Sequence, residues 1–184
     1  NYAARFESSL VGNLEYKIPK LITEMIIKDR EFESLGSIMD LGCGTGLLGA
    51  EIKQFCKYLE GIDLSEKMLD EAKQKDVYDK LVKQDIVNYL TNANLNFDYF
   101  ISTDVFIYVG DLSDVFRLIK SRNKTGGKLA FSTEDYNGDG FFLEQSGRYS
   151  HSKKYIESLC ETFGYELLHF ETQALRKEKN QYIS

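Results

Sequence analysis

Short apolar runs alternate with amphipathic stretches along most of the chain, and this alternation predicts strands and helices in turn. The run 97–102 is almost wholly apolar, as expected of a strand buried on both faces. Strands and helices that alternate at this spacing predict an α/β fold with a doubly wound, mainly parallel sheet. The predicted strands are 38–41, 58–62, 81–83, 97–102 and 128–133, then a last pair, 165–172 and 181–184, around a polar turn at 177–180.

The segments outside these strands complete a single predicted domain over 1–184. Apolar positions in 2–15 and a helix that starts at Pro19 predict an N-terminal helical cap over 1–35. Residues 36–184 form the predicted core, in which 134–150 is an irregular, glycine-containing lid loop. Predicted helix caps are Ser65, Asp111 and Ser152, and Gly164 is a predicted helix end.

The composition narrows the class of partner and the cellular setting. A net charge of −6 argues against a stable complex with nucleic acid, which normally needs a basic surface. The three cysteines form no zinc-binding or CxxC pattern, so we predict no metal site and interpret them as reduced thiols of a cytoplasmic protein. No apolar run approaches the roughly 18 residues that a membrane span requires, so no membrane partner is expected. The composition favours neither a monomer nor an oligomer.

A glycine-dense turn, 42–46 (GCGTG), joins the first predicted strand to the helix after it. Glycines let a ligand approach the backbone closely, and a helix N-terminus offers it unpaired N–H groups. Nicotinamide cofactors favour the spacing GxGxxG, whose third glycine would fall at Leu47. Asp40, two residues before the turn, would repel a pyrophosphate but tolerates a cation. The turn therefore indicates a nucleotide-like ligand that carries positive charge.

Polar side chains follow several predicted strands, whose carboxyl ends form the ligand-binding edge of a parallel sheet. Asp63 lies about 20 residues beyond the glycine turn, where a carboxylate can accept from ribose hydroxyls. Leu64 and Met68 offer an apolar surface to a base. Asp85 is placed to accept from an exocyclic amine, and the backbone N–H of Ile86 to donate to a ring nitrogen. Together they indicate an adenosine ligand.

These motifs, taken in order, resemble those of class I S-adenosylmethionine-dependent methyltransferases of the type 11/12 kind. The resemblance covers roughly residues 36–184 and implies a Rossmann-like sheet of seven strands in the order 3-2-1-4-5-7-6, with strand 7 antiparallel. It also implies S-adenosyl-L-methionine as cofactor and S-adenosyl-L-homocysteine as product. The matching segments are 40–46 (glycine motif), 63–72 (acidic ribose motif), 84–86 (adenine motif), 97–104 (fourth strand) and 126–129 (turn before the fifth).

The resemblance assigns the cofactor site residue by residue, and Tyr2 would close over the methionine end of the cofactor. A finer resemblance, carried by 2–7, 14–19 and 148–152, is to bacterial methyltransferases often attached to tetratricopeptide repeats, although this chain contains no such repeat. The expected cofactor-binding residues are Tyr2, Asp40, Gly42, Gly44, Gly46, Asp63, Leu64, Met68, Asp85, Ile86 and Thr103.

Methyl transfer requires an acceptor placed in line with the sulfonium methyl group, and a base only where the acceptor must lose a proton. The main candidates are Asp104 and Tyr108 after the fourth strand and His151 at the end of the lid loop. His151 could instead cap the next helix or bind a carbonyl of the lid. Further candidates after the fifth strand are Glu134, Asp135 and Tyr136.

The acidic composition and the aromatic residues of the lid loop favour a small-molecule acceptor over protein or RNA. Two other functions remain open on the sequence. One is a non-catalytic module that binds S-adenosylmethionine, because this fold obliges no catalytic residue. The other is a nicotinamide-dependent oxidoreductase, against which Asp40 and Leu47 argue.

Overall fold

The structure is a computed structural model that describes residues 17–28, 34–124, 126–173, 176–178 and 181–183. Tyr2 and the predicted helical stretch 2–15 lie outside the described residues. The helices are α1 (Ile18–Lys28), α2 (Leu47–Ile52), α3 (Glu66–Gln74), α4 (Ile86–Asn92), α5 (Ser113–Arg122) and α6 (Lys153–Phe163), with 3-10 turns at Lys53–Phe55 and Phe106–Tyr108. The strands of the main sheet are β1 (Ser37–Leu41), β2 (Tyr58–Asp63), β3 (Lys80–Lys83), β4 (Tyr99–Ser102) and β5 (Lys128–Phe131).

The main sheet is parallel and has the order β3-β2-β1-β4-β5. This confirms the predicted α/β class and the order of its first five strands. In the register, Leu41 lies beside Ile62, and Asp63 lies beside Lys83. The side chain of Ser102 at the end of β4 donates to the carbonyl of Leu41 at 3.0 Å. The carboxyl ends of these strands therefore meet at one edge.

Two apolar clusters cover the two faces of this sheet. Met39 and Phe100 pack with α4, α5 and α6, whereas Ile38 and Ile101 pack with α1 and α2. Neighbouring residues of one strand thus face opposite layers, as the alternation of a strand requires. Asp40 follows the same alternation and shares the face of Ile38. Each fully buried aliphatic side chain contributes about 1.5–3 kcal/mol to folding.

The predicted extension to seven strands is not found among the described residues. Residues 165–173 form no strand, and 166–173 are exposed. Leu167 and Leu168 follow each other in this stretch, so its apolar residues do not alternate as a half-buried strand requires. β9 (Arg176–Glu178) and β10 (Gln181–Ile183) instead pair with each other in an antiparallel hairpin, which also places part of the predicted polar turn at 177–180 in a strand.

The stretch 134–150, predicted as an irregular lid loop, is irregular only in part. This stretch contributes β6 (Glu134–Asp135), β7 (Phe141–Leu143) and β8 (Tyr149–His151), which form a separate small sheet in the order β6-β8-β7. Arg148, which directly precedes β8, forms an ion pair with Glu134 of β6 at 3.2 Å. The segment therefore contains a small sheet whose short strands are joined by two loops.

Most of the predicted helix boundaries agree with the structure. Ser65 and Ser152 cap α3 and α6 by accepting from backbone N–H groups, and Gly164 ends α6 with φ 71°. Asp111 was predicted as the cap of α5, but the helix begins at Ser113, and Asp111 accepts from the N–H of Ser113 at 2.8 Å. Helix α4 was not predicted.

Candidate cofactor-binding site

The glycine turn is closed by hydrogen bonds from its own backbone. The N–H groups of Gly42 and Cys43 donate to the carbonyl of Ile62 at 2.9 and 2.8 Å. The N–H of Gly44 donates to Oδ2 of Asp63 at 3.0 Å. Hydrogen bonds to the end of β2 therefore define the shape of the turn.

The glycines of the turn meet different surroundings. A methyl group added to Gly42, where φ is +78°, would lie 2.4 Å from Cγ2 of Val105. A methyl group added to Gly44, where φ is +53°, would meet no heavy atom within 4 Å. Gly46, with φ +85°, precedes the first residue of α2 and faces Tyr78 and Ala72. Gly42 and Gly46 are thus required for packing, whereas Gly44 leaves the backbone open to a ligand.

Asp63 lies at the end of β2 and already has a local role. Its Oδ1 accepts from the N–H of Ser65 at 2.7 Å, while Oδ2 accepts from Gly44. Each carboxylate oxygen has two lone pairs, so both oxygens can still accept from ribose hydroxyls. Leu64 beside it is 67% exposed, and Met68 on α3 is partly buried. The predicted ribose and base contacts are therefore brought together.

Asp85 and Ile86 lie after β3, at the start of α4. Oδ1 of Asp85 accepts from the N–H of Asn88 at 2.9 Å, so this carboxylate caps the helix. The side chain of Asp85 is exposed, and Ile86 is the first residue of α4. The predicted adenine contacts thus sit on a helix N-terminus, at the same edge as the glycine turn.

Asp40 is fully buried in β1. Its Oδ2 accepts from the hydroxyl of Tyr78 at 2.6 Å, whereas its Oδ1 has no hydrogen-bond partner among the described residues. Burial raises the pKa of Asp40 to about 7; the hydrogen bond from Tyr78 opposes this shift, and the nearby charge of Asp63 adds to it. A buried carboxylate oxygen without a donor is costly, and a cationic ligand group would satisfy it.

Tyr78 is the residue of this site that the sequence did not indicate. It lies in the loop between α3 and β3, and its hydroxyl also accepts from the N–H of Gly49 at 3.2 Å. Its ring fits only because three neighbours lack a side chain: a methyl group on Gly46, Gly49 or Gly61 would lie 3.0, 2.5 or 2.8 Å from it. Since Gly61 pairs with Asp40 in the sheet, these glycines bring the hydroxyl to the carboxylate.

The end of β4 supplies the side of the site where an acceptor would approach. Asp104 adopts φ 57°, a left-handed conformation that is uncommon for a residue other than glycine, and its N–H donates to Ser132 at 2.9 Å. Tyr108, in the following 3-10 turn, is 59% exposed, and Thr103 is partly buried. The structure therefore places these three predicted residues along one loop beside the glycine turn.

His151 is buried in β8 with both ring nitrogens engaged. Nε2 faces the carbonyls of Val109 and Gly110 at 3.0 and 2.9 Å, so it carries the proton, and Nδ1 accepts from the hydroxyl of Thr133. Burial lowers the pKa of His151, although the two carbonyls oppose the shift. A base needs a free ring nitrogen that faces the acceptor. This arrangement offers none, so the predicted role as a base would require these contacts to rearrange.

These contacts predict how His151 affects stability. Because its pKa is lower in the folded protein than the ordinary value near 6.5, the unfolded chain takes up the proton first, and stability is lost as the pH falls below about 6.5. His151→Gln should remove this pH dependence. At pH 8 it should lower the free energy of unfolding by about 1–3 kcal/mol, because the hydrogen bonds of the imidazole are broken. Urea unfolding of wild type and variant between pH 5 and 8 measures both effects.

The matched control is His169→Gln, because His169 is exposed and its partner, Glu171, lies two residues away in sequence. The difference in unfolding free energy between wild type and His151→Gln should shrink on acidification, whereas His169→Gln should change stability little because its side chain is exposed. Equal pH dependence in wild type and His151→Gln would contradict the assignment of a neutral, clamped imidazole.

Two other features are absent from the part of the chain that the structure describes. It contains no group of three or more His, Cys, Asp or Glu side chains that could hold a metal ion. None of its helices combines the length and apolarity needed to cross a lipid bilayer.

Comparison with known proteins gives relatives of one kind. The chain is 37% identical over 103 residues to the ribosomal protein L11 methyltransferase of Shewanella baltica, covering 52% of this chain and 32% of that protein. It is 32% identical over 104 residues to the ubiquinone biosynthesis O-methyltransferase of Coxiella burnetii, covering 54% and 44%. The chain spans between about a third and just over half of the length of the curated relatives it matches.

Among solved structures, the fold is similar to magnesium protoporphyrin IX methyltransferase from Synechocystis with bound S-adenosylmethionine. The TM-score is 0.61 at 21% identity, and the match covers 91% of this chain and 74% of that one. The model of the methyltransferase domain family matches residues 39–131, which run from β1 to the end of β5. The fold, the ordered motifs and this match agree, and the chain belongs to the methyltransferase domain family, as its resemblance to class I S-adenosylmethionine-dependent methyltransferases predicted.

Proposed function

We propose that this chain transfers a methyl group from S-adenosylmethionine to a small-molecule acceptor. The observation that carries the proposal is the buried Asp40, whose Oδ1 has no donor among the described residues. A positively charged partner stabilises a carboxylate at this depth, and the α-ammonium group of S-adenosylmethionine has that charge. The dinucleotide cofactors bring a pyrophosphate instead, which the carboxylate would repel.

The other residues of the edge fit the remaining parts of this cofactor. Gly44 leaves room for close approach to the backbone, and Asp63 has lone pairs left for the ribose hydroxyls. Leu64 offers an exposed apolar surface to the adenine, and Asp85 lies at the same edge to accept from its amine. Gly42, Gly46, Met68, Ile86 and Thr103 complete the proposed cofactor-binding set, which Tyr2 would extend.

The bound cofactor supplies a methyl group already activated on a sulfonium, so the protein's task is to position the acceptor and to exclude water. Asp104 and Tyr108 are the groups we place nearest to the acceptor, because both follow β4. His151 we assign to positioning, since its ring ties β8 to the carbonyls of Val109 and Gly110. This clamp fixes the loop that carries Tyr108.

Aromatic side chains of the small sheet favour an acceptor that has an apolar face. Tyr136 stacks on Phe142 at 5.5 Å between ring centroids, and Phe142 is 49% exposed. The net charge of −6 fits an RNA acceptor poorly. The names of the relatives indicate both classes of acceptor, since one methyltransferase is named for ribosomal protein L11 and another for ubiquinone biosynthesis. We favour the small molecule because exposed aromatic rings suit a planar acceptor.

Turnover tests this proposal most simply. Production of S-adenosylhomocysteine is measured with three acceptor pools: metabolites below about 3 kDa, soluble protein and total RNA. We expect turnover with the metabolite pool that survives protease and nuclease treatment. Turnover with protein alone would contradict the small-molecule acceptor. Cofactor binding without turnover in any pool would indicate the non-catalytic module instead.

A cytoplasmic setting is part of the proposal. Cys43 and Cys160 are buried and Cys56 is half-buried, and all three are free thiols in the structure. Burial raises the pKa of Cys43 and of Cys160, so both stay in the unreactive thiol form. Such thiols are typical of a reducing compartment.

A further inference from the structure

We infer that Tyr78 is a positioning residue for the cofactor's ammonium group, because its hydroxyl holds one oxygen of Asp40 and leaves the other to receive the ligand. This inference rests on the proposed use of S-adenosylmethionine. It adds a residue that belongs to none of the sequence motifs and comes from a loop outside the glycine turn. Tyr78 acts through Asp40 and does not contact the reacting atoms.

The geometry around the hydroxyl fixes its direction. The hydroxyl accepts from the N–H of Gly49 at 3.2 Å, so its own proton is directed to Oδ2 of Asp40 at 2.6 Å. Burial and the neighbouring Asp40 raise the pKa of Tyr78, so it remains a donor throughout the neutral range. Oδ1 is then the oxygen of Asp40 that remains for a ligand.

The surroundings of the ring show that this contact is built into the fold. Gly46, Gly49 and Gly61 come from the glycine turn, α2 and β2, and a side chain on any of them would strike the ring. Gly49 lies inside a helix, where glycine is less favourable than alanine by about 1 kcal/mol. Glycine at position 49 therefore lowers the stability of the helix slightly, and it leaves the space that the ring of Tyr78 occupies.

The groups that face Asp40 determine when it is charged. Asp63 at the end of β2 opposes the negative charge, Tyr78 favours it, and the thiol of Cys43 in the turn stays neutral. Asp40 must be ionised to bind an ammonium group, so cofactor affinity should rise with pH through the pKa of Asp40 near 7. Loss of the Tyr78 hydroxyl raises that pKa and moves the rise in affinity to higher pH.

The experiment compares wild type with Tyr78→Phe, which keeps the ring and removes the hydroxyl. Affinity for S-adenosylhomocysteine is measured by calorimetry between pH 6 and 8.5. At pH 7 we expect Tyr78→Phe to bind about tenfold more weakly, because a hydrogen bond to a charged group is lost. The deficit should narrow toward pH 8.5, as Asp40 ionises in the variant as well.

Methylthioadenosine serves as the matched ligand, because it has the adenosine part and lacks the ammonium group. Wild type and Tyr78→Phe should bind it with the same affinity, independent of the ionisation of Asp40. Equal affinity would also show that the variant keeps its adenosine site. Asp40→Asn should bind S-adenosylhomocysteine weakly and without the rise near pH 7. Gly49→Ala, which displaces the ring of Tyr78, should reproduce the Tyr78→Phe profile.

Binding of S-adenosylhomocysteine to wild type separates an error in the role of Tyr78 from an error in the proposed cofactor. If wild type binds S-adenosylhomocysteine but Tyr78→Phe has the same pH profile, Tyr78 is not a positioning residue. An equal, pH-independent loss for both ligands would likewise assign Tyr78 a structural role only. If wild type binds S-adenosylhomocysteine at no pH, the proposed function itself is wrong.

Discussion

Asp63→Ala is expected to weaken binding of S-adenosylhomocysteine about 10- to 150-fold, which corresponds to about 1.5–3 kcal/mol for hydrogen bonds to a charged group. The substitution removes the acceptor for the ribose hydroxyls. It also frees the N–H groups of Gly44 and Ser65, which the carboxylate holds at 3.0 and 2.7 Å. The loss therefore combines a missing ligand contact with a looser turn. Calorimetric titration at pH 7.5 measures it.

Two control variants separate these contributions. Asp70→Ala removes an exposed carboxylate from α3, beyond the turn, and should leave the affinity unchanged. Asp63→Asn keeps an oxygen that can accept from one N–H group but loses the charge, so it should fall between wild type and Asp63→Ala. Wild-type affinity in Asp63→Ala would mean that the ribose is bound elsewhere.

Gly42→Ala and Gly44→Ala are expected to fail in different ways, although they lie two residues apart. At Gly42 the left-handed backbone costs about 1–2 kcal/mol for alanine, and contact with Val105 adds about 1–3 kcal/mol of overpacking. Gly42→Ala should therefore lower the free energy of unfolding by about 2–5 kcal/mol. The double variant Gly42→Ala/Val105→Ala should recover part of this loss, because the methyl group then has space.

At Gly44 the added methyl group meets no protein atom, so only the backbone cost of about 1–2 kcal/mol applies to stability. The methyl group would instead occupy the space that we assign to the ligand. The binding free energy of the cofactor should therefore weaken by about 1–3 kcal/mol. Urea unfolding and calorimetry are run on both variants. Unchanged affinity in folded Gly44→Ala would show that no ligand approaches the turn there.

The parts of the site that the sequence predicted are those encoded locally. The spacing of the glycines fixes a turn between a strand and a helix, and Asp63 is the last residue of the next strand. Parallel strands then bring these ends to one edge, so the grouping needs only the order of the elements. The same reasoning placed Asp104 and Tyr108 beside the turn.

Tyr78 escaped prediction because its contact with Asp40 spans 38 residues along the chain. A tyrosine in a loop has no period that marks it as buried. The signal that existed was indirect: Gly49 and Gly61 interrupt a helix and a strand, where glycine usually indicates close approach of another group. Nothing in the sequence identified which group approaches.

The sheet errors also have physical causes. β6 has two residues and β7 and β8 three each, which is too short for alternation to be read. Their pairing joins segments across two loops, and it is stabilised by side-chain contacts such as Ser150 to Glu144 at 2.6 Å. In the stretch 165–173, Tyr165 packs on Phe116, whereas residues 166–173 are exposed and form no strand. Strand pairing depends on distant partners that local patterns do not specify.

The central claim is that a cationic adenosine cofactor binds over Asp40 and Asp63 at the carboxyl edge of the sheet. Calorimetric titration of the wild-type chain with S-adenosylhomocysteine, alongside NADH as the competing ligand class, tests it most directly. The account predicts saturable binding of S-adenosylhomocysteine at one site per chain and no heat with NADH. No binding of S-adenosylhomocysteine at millimolar concentration, or saturable binding of NADH alone, would contradict it.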